Sequence, residues 1–317
     1  MEKRAKFNWP GLQRGEKLTK HTYFGLGGPA KYFLPITKSD ELLAVLALAK
    51  KEKIPTLILG GGSNVAVSDK GWSGLVIKFE NKKPRPSDCK IENSELVCEA
   101  NIPLSFLINF SVKQSLAGLE KMSGIPGCVS GAIVGNAGAY GASVSDSLIW
   151  VEIFDGQKVR RLKKADCRFA YRDSVFKKKN WIVLRAAFSL IAADQPVLKQ
   201  VSKKIIQTRR SKFSTDWLCP GSFFKNIPVN KISRKTLSQL DQSKIIEGKM
   251  PVAVLLDAVE AKGERVGGIM VSDTHANFII NTGRGRQSEV KKLAAKLKAK
   301  VKKKFGIELV EEVRYIG

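Results

Sequence analysis

The chain has 317 residues, of which 43% are hydrophobic, and this length favours two or three domains over a single core. No apolar run approaches the roughly 20 residues that span a bilayer, and residues 1–20 lack the apolar stretch of a secretory signal. The sequence thus predicts a soluble, cytoplasmic protein, whose net charge of +26 attracts nucleic acid, anionic membrane or phosphorylated small molecules.

The first predicted elements are a helix and two strands around a glycine-rich loop. Ser39, followed by acidic residues and then by the apolar residues Leu42, Leu43, Val45, Leu46 and Ala49, predicts a capped helix that ends near Pro55. A strand at residues 56–59 leads into the loop, residues 60–64, and a second strand follows at residues 74–79.

The middle of the chain is punctuated by prolines and glycines. Pro84 and Pro86 predict a boundary, after which residues 95–100 form a strand and a helix starts at Pro103. The segment at residues 124–141 is so rich in glycine that it is expected to interrupt regular structure.

The later elements alternate between strands and helices. Residues 148–154 and 159–162 predict a hairpin with a turn at Asp155-Gly156, residues 181–191 a buried strand, and residues 197–212 a basic helical connector. The final segment, residues 307–316, alternates as a strand and should be tied into a sheet.

These changes of pattern predict three domains, at residues 1–83, 84–196 and 197–317. The densest lysine block, residues 291–304, also carries apolar residues at helical spacing, so its lysines should form the solvated face of a helix. No aromatic residues that would stack on bases are interleaved with it, which argues against nucleic-acid binding.

The cysteines and histidines give no metal-binding pattern. The five cysteines are far apart and form no Cys-x-x-Cys pair, which is typical of a reducing compartment. His21 and His275 are the only histidines, so a zinc site would need cysteines that the spacing does not bring together. The sequence therefore predicts no metal.

The two glycine-rich segments carry the first chemical signal. The loop at residues 60–64 lets backbone N–H groups approach an anion, and its Ser63 and Asn64 add donors, although a glycine-rich surface turn would look the same. It also lacks the helix and acidic residue of the classical dinucleotide fingerprint. A second segment, residues 124–141, lies roughly 60 residues further on, and two such segments favour a large dinucleotide such as FAD.

Six short segments spread along nearly the whole chain give a more specific signal. They are HTYFGLGGPA (residues 21–30), LGGGSN (59–64), GIPGCVSGAIVGNAGAYG (124–141), YRDS (171–174), GSFFKN (221–226) and EVRYIG (312–317). In this order they resemble the signature blocks of the UDP-N-acetylenolpyruvoylglucosamine reductase family. Six blocks in the right order are far more specific than any one of them.

The resemblance implies both a fold and a reaction. The fold is α+β, with a two-subdomain FAD-binding unit of the vanillyl-alcohol-oxidase (PCMH) type and a C-terminal α+β substrate-binding domain. The reaction is the reduction of UDP-N-acetylglucosamine enolpyruvate to UDP-N-acetylmuramate in peptidoglycan precursor synthesis, with FAD as cofactor and NADPH as hydride donor. The expected enzyme is a monomer that binds its UDP-sugar substrate and neither nucleic acid nor membrane.

The resemblance also implies catalytic roles. By position in the blocks, Arg172 and Glu312 resemble the pair that polarises the substrate carboxylate, and Ser222 resembles the proton donor. From the residues alone, Arg172 and Glu312 could form a salt bridge and Ser222 could be an ordinary turn hydroxyl. Glu311 competes with Glu312, and only the family pattern excludes it.

Two sets of binding residues follow from the same resemblance. Lys212 and Asn226 resemble positions that contact the nucleotide sugar, although Lys212 also fits the solvated face of a basic helix. His275 lies in a family-like segment near the substrate and fits a surface histidine as well. The implied FAD-binding residues are Gly60, Gly61, Gly62, Ser63, Asn64, Ile125, Pro126, Gly127, Gly131, Asn136, Gly138 and Tyr140.

The sequence departs from the family pattern in three places. Ser130 stands where glycine is commonest, and Gly135 replaces a usually larger residue, which leaves the local flavin contacts open. Only 50 positions separate Arg172 from Ser222, which suits the branch without the extra substrate-covering loop and its tyrosine. The active site is therefore expected to be more open.

Two other functions share part of this pattern. An oxidase of the same flavoprotein superfamily would have the glycine loops, but no reason to carry the blocks at residues 221–226 and 312–317. A nucleic-acid-binding or scaffolding protein would account for the charge, but not for Arg172, Ser222 and Glu312 together.

Overall fold

The computed structural model describes residues 7–212, 214 and 216–317, with the side chain of Lys212 left out. The α-helices are α1 (Ser39–Lys51), α2 (Leu104–Lys113), α3 (Val129–Gly135), α4 (Val144–Ser147), α5 (Gln195–Lys212), α6 (Arg234–Leu237), α7 (Val252–Ala258) and α8 (Gln287–Phe305). The strands are β1 (Glu16–Lys17), β2 (Pro29–Ile36), β3 (Thr56–Leu59), β4 (Val65–Val67), β5 (Trp72–Phe79), β6 (Cys89–Glu92), β7 (Glu95–Glu99), β8 (Leu116–Ala117), β9 (Gly138–Ala139), β10 (Ala142–Ser143), β11 (Leu148–Phe154), β12 (Val159–Lys163), β13 (Ile182–Ser189), β14 (Ile191–Ala192), β15 (Ile227–Pro228), β16 (Lys249–Met250), β17 (Arg265–Val266), β18 (Ile269–Val271), β19 (Ile279–Asn281) and β20 (Arg314–Ile316).

The described chain divides into two compact units. The first contains residues 7–16, 31–61 and 73–211, and the second contains residues 17–30, 62–72 and the described part of 212–317. The three-domain division at residues 83 and 196 stays a prediction.

A sheet of order β1-β2-β5-β3 has most of its residues in the first unit, and its strands β3 and β5 are parallel from Thr56↔Leu75 to Leu59↔Lys78. Helix α1 has the predicted apolar spacing, and its Leu42, Val45 and Ala49 are buried in this part of the core. Ser39 is not the cap that the sequence predicts, because Lys38 holds that position and makes no side-chain hydrogen bond.

The same unit contains an antiparallel sheet of order β12-β11-β13-β7-β6. The predicted hairpin is confirmed: β11 and β12 pair from Trp150↔Lys163 to Phe154↔Val159. Asp155 fixes its turn, since its carboxylate accepts the N–H groups of Gln157 and Lys158, each at 2.9 Å.

The glycine-rich segment at residues 124–141 is more regular than the sequence predicts, because it contains helix α3. The buried side chains of Val129, Ala132 and Ile133 pack this helix into the core, and packing outweighs the low helix propensity of its glycines. The helix ends where Asn136 adopts a left-handed conformation, with φ of 43°.

The second unit contains α8 and three small sheets, β15-β16, β17-β18-β19 and β20-β4. The predicted apolar stripe of α8 is confirmed, since Val290, Leu293, Ala294, Leu297 and Val301 are all buried. Strands β17, β18 and β19 form an antiparallel sheet, and the chain ends in β20, which pairs in parallel with β4. The last strand is therefore tied into a sheet as predicted, but its ladder is shorter than expected.

Among the described residues, no helix is both long enough and apolar enough to span a bilayer. All five cysteines are free thiols.

Candidate active site

The two glycine-rich segments meet in the first unit. Strand β3 ends at Leu59, and the next two residues lie against the turn that precedes α3. A Cβ atom on Gly61 would lie 2.6 Å from Cα of Gly127, and one on Gly60 would lie 2.6 Å from Sγ of Cys128. The sequence suggests that these glycines give clearance to a ligand, whereas here the second loop occupies that clearance.

The rest of the first loop lies in the second unit. Gly62 has a φ of 73°, and a Cβ there would lie 2.1 Å from the carbonyl oxygen of His21. Asn64 donates from Nδ2 to the carbonyl of Glu312 at 3.2 Å. Its buried Oδ1 accepts no hydrogen bond from any described residue, so a donor from outside the chain would stabilise it.

Arg172 occupies a tight turn of the first unit, with Ala170 and Asp173 exchanging backbone hydrogen bonds of 3.0 Å across it. Its φ of 52° is unusual for a residue other than glycine. Its Nη2 donates to the carbonyl of Gly138, and its own carbonyl accepts from Nζ of Lys177 at 2.7 Å. The arginine predicted to bind the carboxylate is thus fixed to the second glycine segment.

Several other predicted FAD residues lie in this segment. Tyr140 is strained, with a φ of 51°, and is 44% exposed. Asn136 is buried and has a structural role, since its side chain donates to the carbonyl of Ala170 at 3.0 Å. The partly buried Ile125 packs against the core.

Ser222 and Glu312 lie on neighbouring segments of the second unit. The backbone N–H of Glu312 donates to the carbonyl of Phe223 at 2.8 Å, so the chain brings together blocks that are 90 positions apart. Ser222 is exposed and Glu312 is partly buried.

Glu311 and Glu312 have different surroundings. The Glu311 carboxylate forms an ion pair with Lys298 of α8, and its side chain is 14% exposed. Burial raises the pKa of Tyr315, and the nearby Glu311 carboxylate raises it further. The Glu311 carboxylate is thus engaged with α8, while the choice of Glu312 over Glu311 for the catalytic role stays a prediction.

Sequence reasoning missed Asn277. Its buried side chain accepts the N–H of Phe224 at Oδ1 and donates from Nδ2 to the carbonyl of Phe224, both at 2.9 Å. Its backbone carbonyl also accepts from Phe223 at 2.9 Å. Asn277 thus holds the segment next to Ser222 as a neighbouring strand would. The only signal in the sequence is an amide inside an apolar segment, which many core positions share.

The remaining predicted substrate residues differ in their surroundings. Asn226 accepts the N–H of Val252 at 3.2 Å, where α7 begins. His275 is partly buried, accepts the N–H of Asn277 at 3.2 Å, and packs edge-on against Phe278. The side chain of Lys212 lies outside the described part of the chain.

Two family models match the chain. The model described as FAD binding domain matches residues 29–158, and the model described as UDP-N-acetylenolpyruvoylglucosamine reductase, C-terminal domain, matches residues 214–316. The second match favours a reductase over an oxidase of the same flavoprotein superfamily.

Curated relatives and a solved structure are similar over nearly the full length. A UDP-N-acetylenolpyruvoylglucosamine reductase of Solibacter usitatus is 39% identical over 301 residues, 95% of each chain. The chain belongs to the UDP-N-acetylenolpyruvoylglucosamine reductase family. A reductase of Caldanaerobacter subterraneus is 35% identical over 96% of this chain and 94% of the relative. The crystal structure of the Thermus caldophilus reductase gives a TM-score of 0.75 at 26% identity, covering 96% of this chain and 99% of that one.

The predicted family, the FAD cofactor and the α+β fold with an FAD-binding unit and a C-terminal domain are therefore confirmed. The roles of the individual site residues stay predictions.

The departures from the reductase family pattern have local explanations. Gly135 is the last residue of α3, and apart from its chain neighbours and the backbone of its own helix no described atom lies within 4 Å of a Cβ built there, so a larger residue would also fit. Ser130 lies on α3 with its Oγ 3.1 Å from Sγ of Cys128, and so supports the residue against which Gly60 packs.

No group of three or more potential metal ligands is present in the described ranges. The absence of a metal stays a prediction.

Proposed function

We propose that this chain reduces UDP-N-acetylglucosamine enolpyruvate to UDP-N-acetylmuramate with FAD and NADPH, and that Arg172, Ser222 and Glu312 carry out the chemistry on the substrate. Similarity to two named reductases supports the reaction, since the match covers 95% of the length of one and 94% of the length of the other. The observation that supports the residue roles best is the backbone hydrogen bond that places the Ser222 segment beside Glu312.

The residues present fit an FAD molecule. In the first unit, Gly60 and Gly61 pack so closely on the second loop that the backbone is the only surface they offer. In the second unit, the buried Oδ1 of Asn64 lacks a described donor, and a ligand hydroxyl would satisfy it. When bound, FAD would accept a hydride from NADPH and supply a hydride to the terminal enolpyruvyl carbon.

The chain's own residues then act on the substrate. Arg172 and Glu312 bind and polarise the carboxylate, which makes the neighbouring carbon able to accept negative charge. Ser222 holds a proton at Oγ and delivers it to that carbon. The fixed turn of Arg172 and the exposed position of Ser222 support these roles.

Lys212, Asn226 and His275 are proposed to contact the nucleotide sugar. The short distance in sequence between Arg172 and Ser222 supports an open site without a covering loop. We also propose a cytoplasmic monomer whose +26 charge attracts the anionic substrate and NADPH rather than nucleic acid or membrane. Sedimentation tests whether the protein is a monomer, and the nucleic-acid content of the purified protein at near-physiological salt tests whether it binds nucleic acid.

The Ser222 role is tested by separating the two half-reactions. Ser222→Ala should leave flavin bleaching by NADPH nearly unchanged, while reoxidation by the enolpyruvyl substrate slows by roughly 10²–10⁴-fold, because only the second step needs the proton. Stopped-flow absorbance under anaerobic conditions measures both rates. Glu311→Gln is the matched control for Glu312→Gln and should have the milder effect. Reoxidation of Ser222→Ala at the parental rate would show that the proton comes from elsewhere.

A further inference from the structure

One peptide group in the first glycine loop is held at both of its polar atoms. The carbonyl oxygen of Gly60 accepts a hydrogen bond from Nζ of Lys78. The N–H group of Gly61, which belongs to the same planar peptide, donates to Sγ of Cys128 at 3.4 Å. The orientation of this peptide is therefore set from two sides, by residues 18 and 67 positions away.

Lys78 is an unusual residue for this position. It lies in β5 between apolar neighbours, pairs in register with Leu59, and is only 6% exposed. Burial lowers its pKa, and the Glu80 carboxylate, 3.2 Å away, works against that shift. Lysine is rarely buried to this extent, because removing its charge from water is costly.

Stability alone does not account for this lysine. An apolar side chain of similar volume in place of a buried ion pair is often neutral or stabilising. What such a side chain could not do is hold the Gly60 carbonyl. The hydrogen bond to the loop is thus the feature that only a cationic or polar residue supplies here.

We propose that Lys78 and Cys128, here called the peptide clamp, are positioning residues that set the affinity for FAD by fixing the Gly60–Gly61 peptide. The inference rests on the proposed role of this loop in binding the cofactor. The peptide clamp fixes the direction of the chain where it leaves β3. The buried ammonium group of Lys78 also adds positive charge next to a loop that is assigned to an anionic ligand.

The test measures FAD binding and folding separately. Lys78→Met, alone and with Glu80→Gln, removes the donor while keeping the volume, and Lys90→Met changes an exposed lysine of β6 as the control. We expect the dissociation constant for FAD, from fluorescence titration of the apoprotein, to rise roughly 10- to 100-fold in the Lys78 variants and to stay unchanged in Lys90→Met. The thermal unfolding midpoint of the double variant should change little.

A second pair of variants keeps the inference testable if Lys78→Met does not fold. Cys128→Ala removes the sulfur acceptor and should weaken FAD binding several-fold, whereas Cys128→Ser restores an acceptor and should recover part of the affinity. A folded Lys78→Met with the parental dissociation constant, or Cys128→Ala that binds FAD like the parent, would overturn the clamp. If the parent chain itself binds no FAD, the proposed function fails instead.

Discussion

Adding a single methyl group at Gly61 tests whether the contact between the two glycine segments is required. The Cβ of Gly61→Ala would lie 2.6 Å from Cα of Gly127 and 3.2 Å from N of Cys128, and both are backbone atoms. Carbon atoms in contact prefer roughly 3.5–4.0 Å, so the loops must separate by about 1 Å. Overpacking of this kind costs about 1–3 kcal/mol.

That cost should appear both in folding and in cofactor binding. Denaturant unfolding of the apoprotein should report a free energy of unfolding lower by about 1–3 kcal/mol. If FAD needs the loops in their original positions, its dissociation constant should also rise, by roughly 5- to 150-fold for the same energy. Fluorescence titration and the absorbance of the purified protein measure the binding.

Gly135→Ala, in the second glycine segment, is the matched control. Apart from its chain neighbours and the backbone of its own helix, no described atom lies within 4 Å of a Cβ at this position, and alanine is the better helix former, so stability and FAD binding should not fall. Gly61→Ala with parental stability and parental FAD affinity would refute the reasoning that these glycines are needed for close loop packing.

Two further predictions concern the second unit. Asn277→Leu removes both side-chain hydrogen bonds to Phe224, so we expect the free energy of unfolding to fall by about 2–4 kcal/mol. Substrate-dependent reoxidation of the flavin should slow, while its reduction by NADPH stays unchanged. Equal slowing of both half-reactions would contradict a local role for Asn277. Burial works to raise the pKa of Glu264, but hydrogen bonds and charge from Lys300 and Lys296 lower it overall. The parent should therefore be more stable than Glu264→Gln above the unfolded pKa of 4.5, and this difference should disappear as the pH falls through the lower pKa of the folded state. Unfolding curves of both proteins across this pH range measure the difference. A difference that does not change with pH would argue against the ion pairs.

Local patterns were sufficient wherever neighbouring residues decide the structure. The apolar spacing of α1 and α8 and the Asp155 turn depend on residues within one or two turns of each other, and all three are present as predicted. Helix α3 could not be predicted this way, because its glycines disfavour a helix and only the core around Val129 and Ile133 stabilises it.

The sequence by itself determined the family, the cofactor and the candidate catalytic residues, because the six ordered blocks can be read directly from the order of the residues. Only the tertiary structure showed that Gly61 packs on Gly127, that Lys78 reaches the Gly60 carbonyl, and that Asn277 holds the segment next to Ser222. These contacts join residues 18 to 66 positions apart. Sequence periodicity describes which face of an element is apolar, but not which distant backbone atom a buried polar group will meet, since that depends on how strands and loops pack.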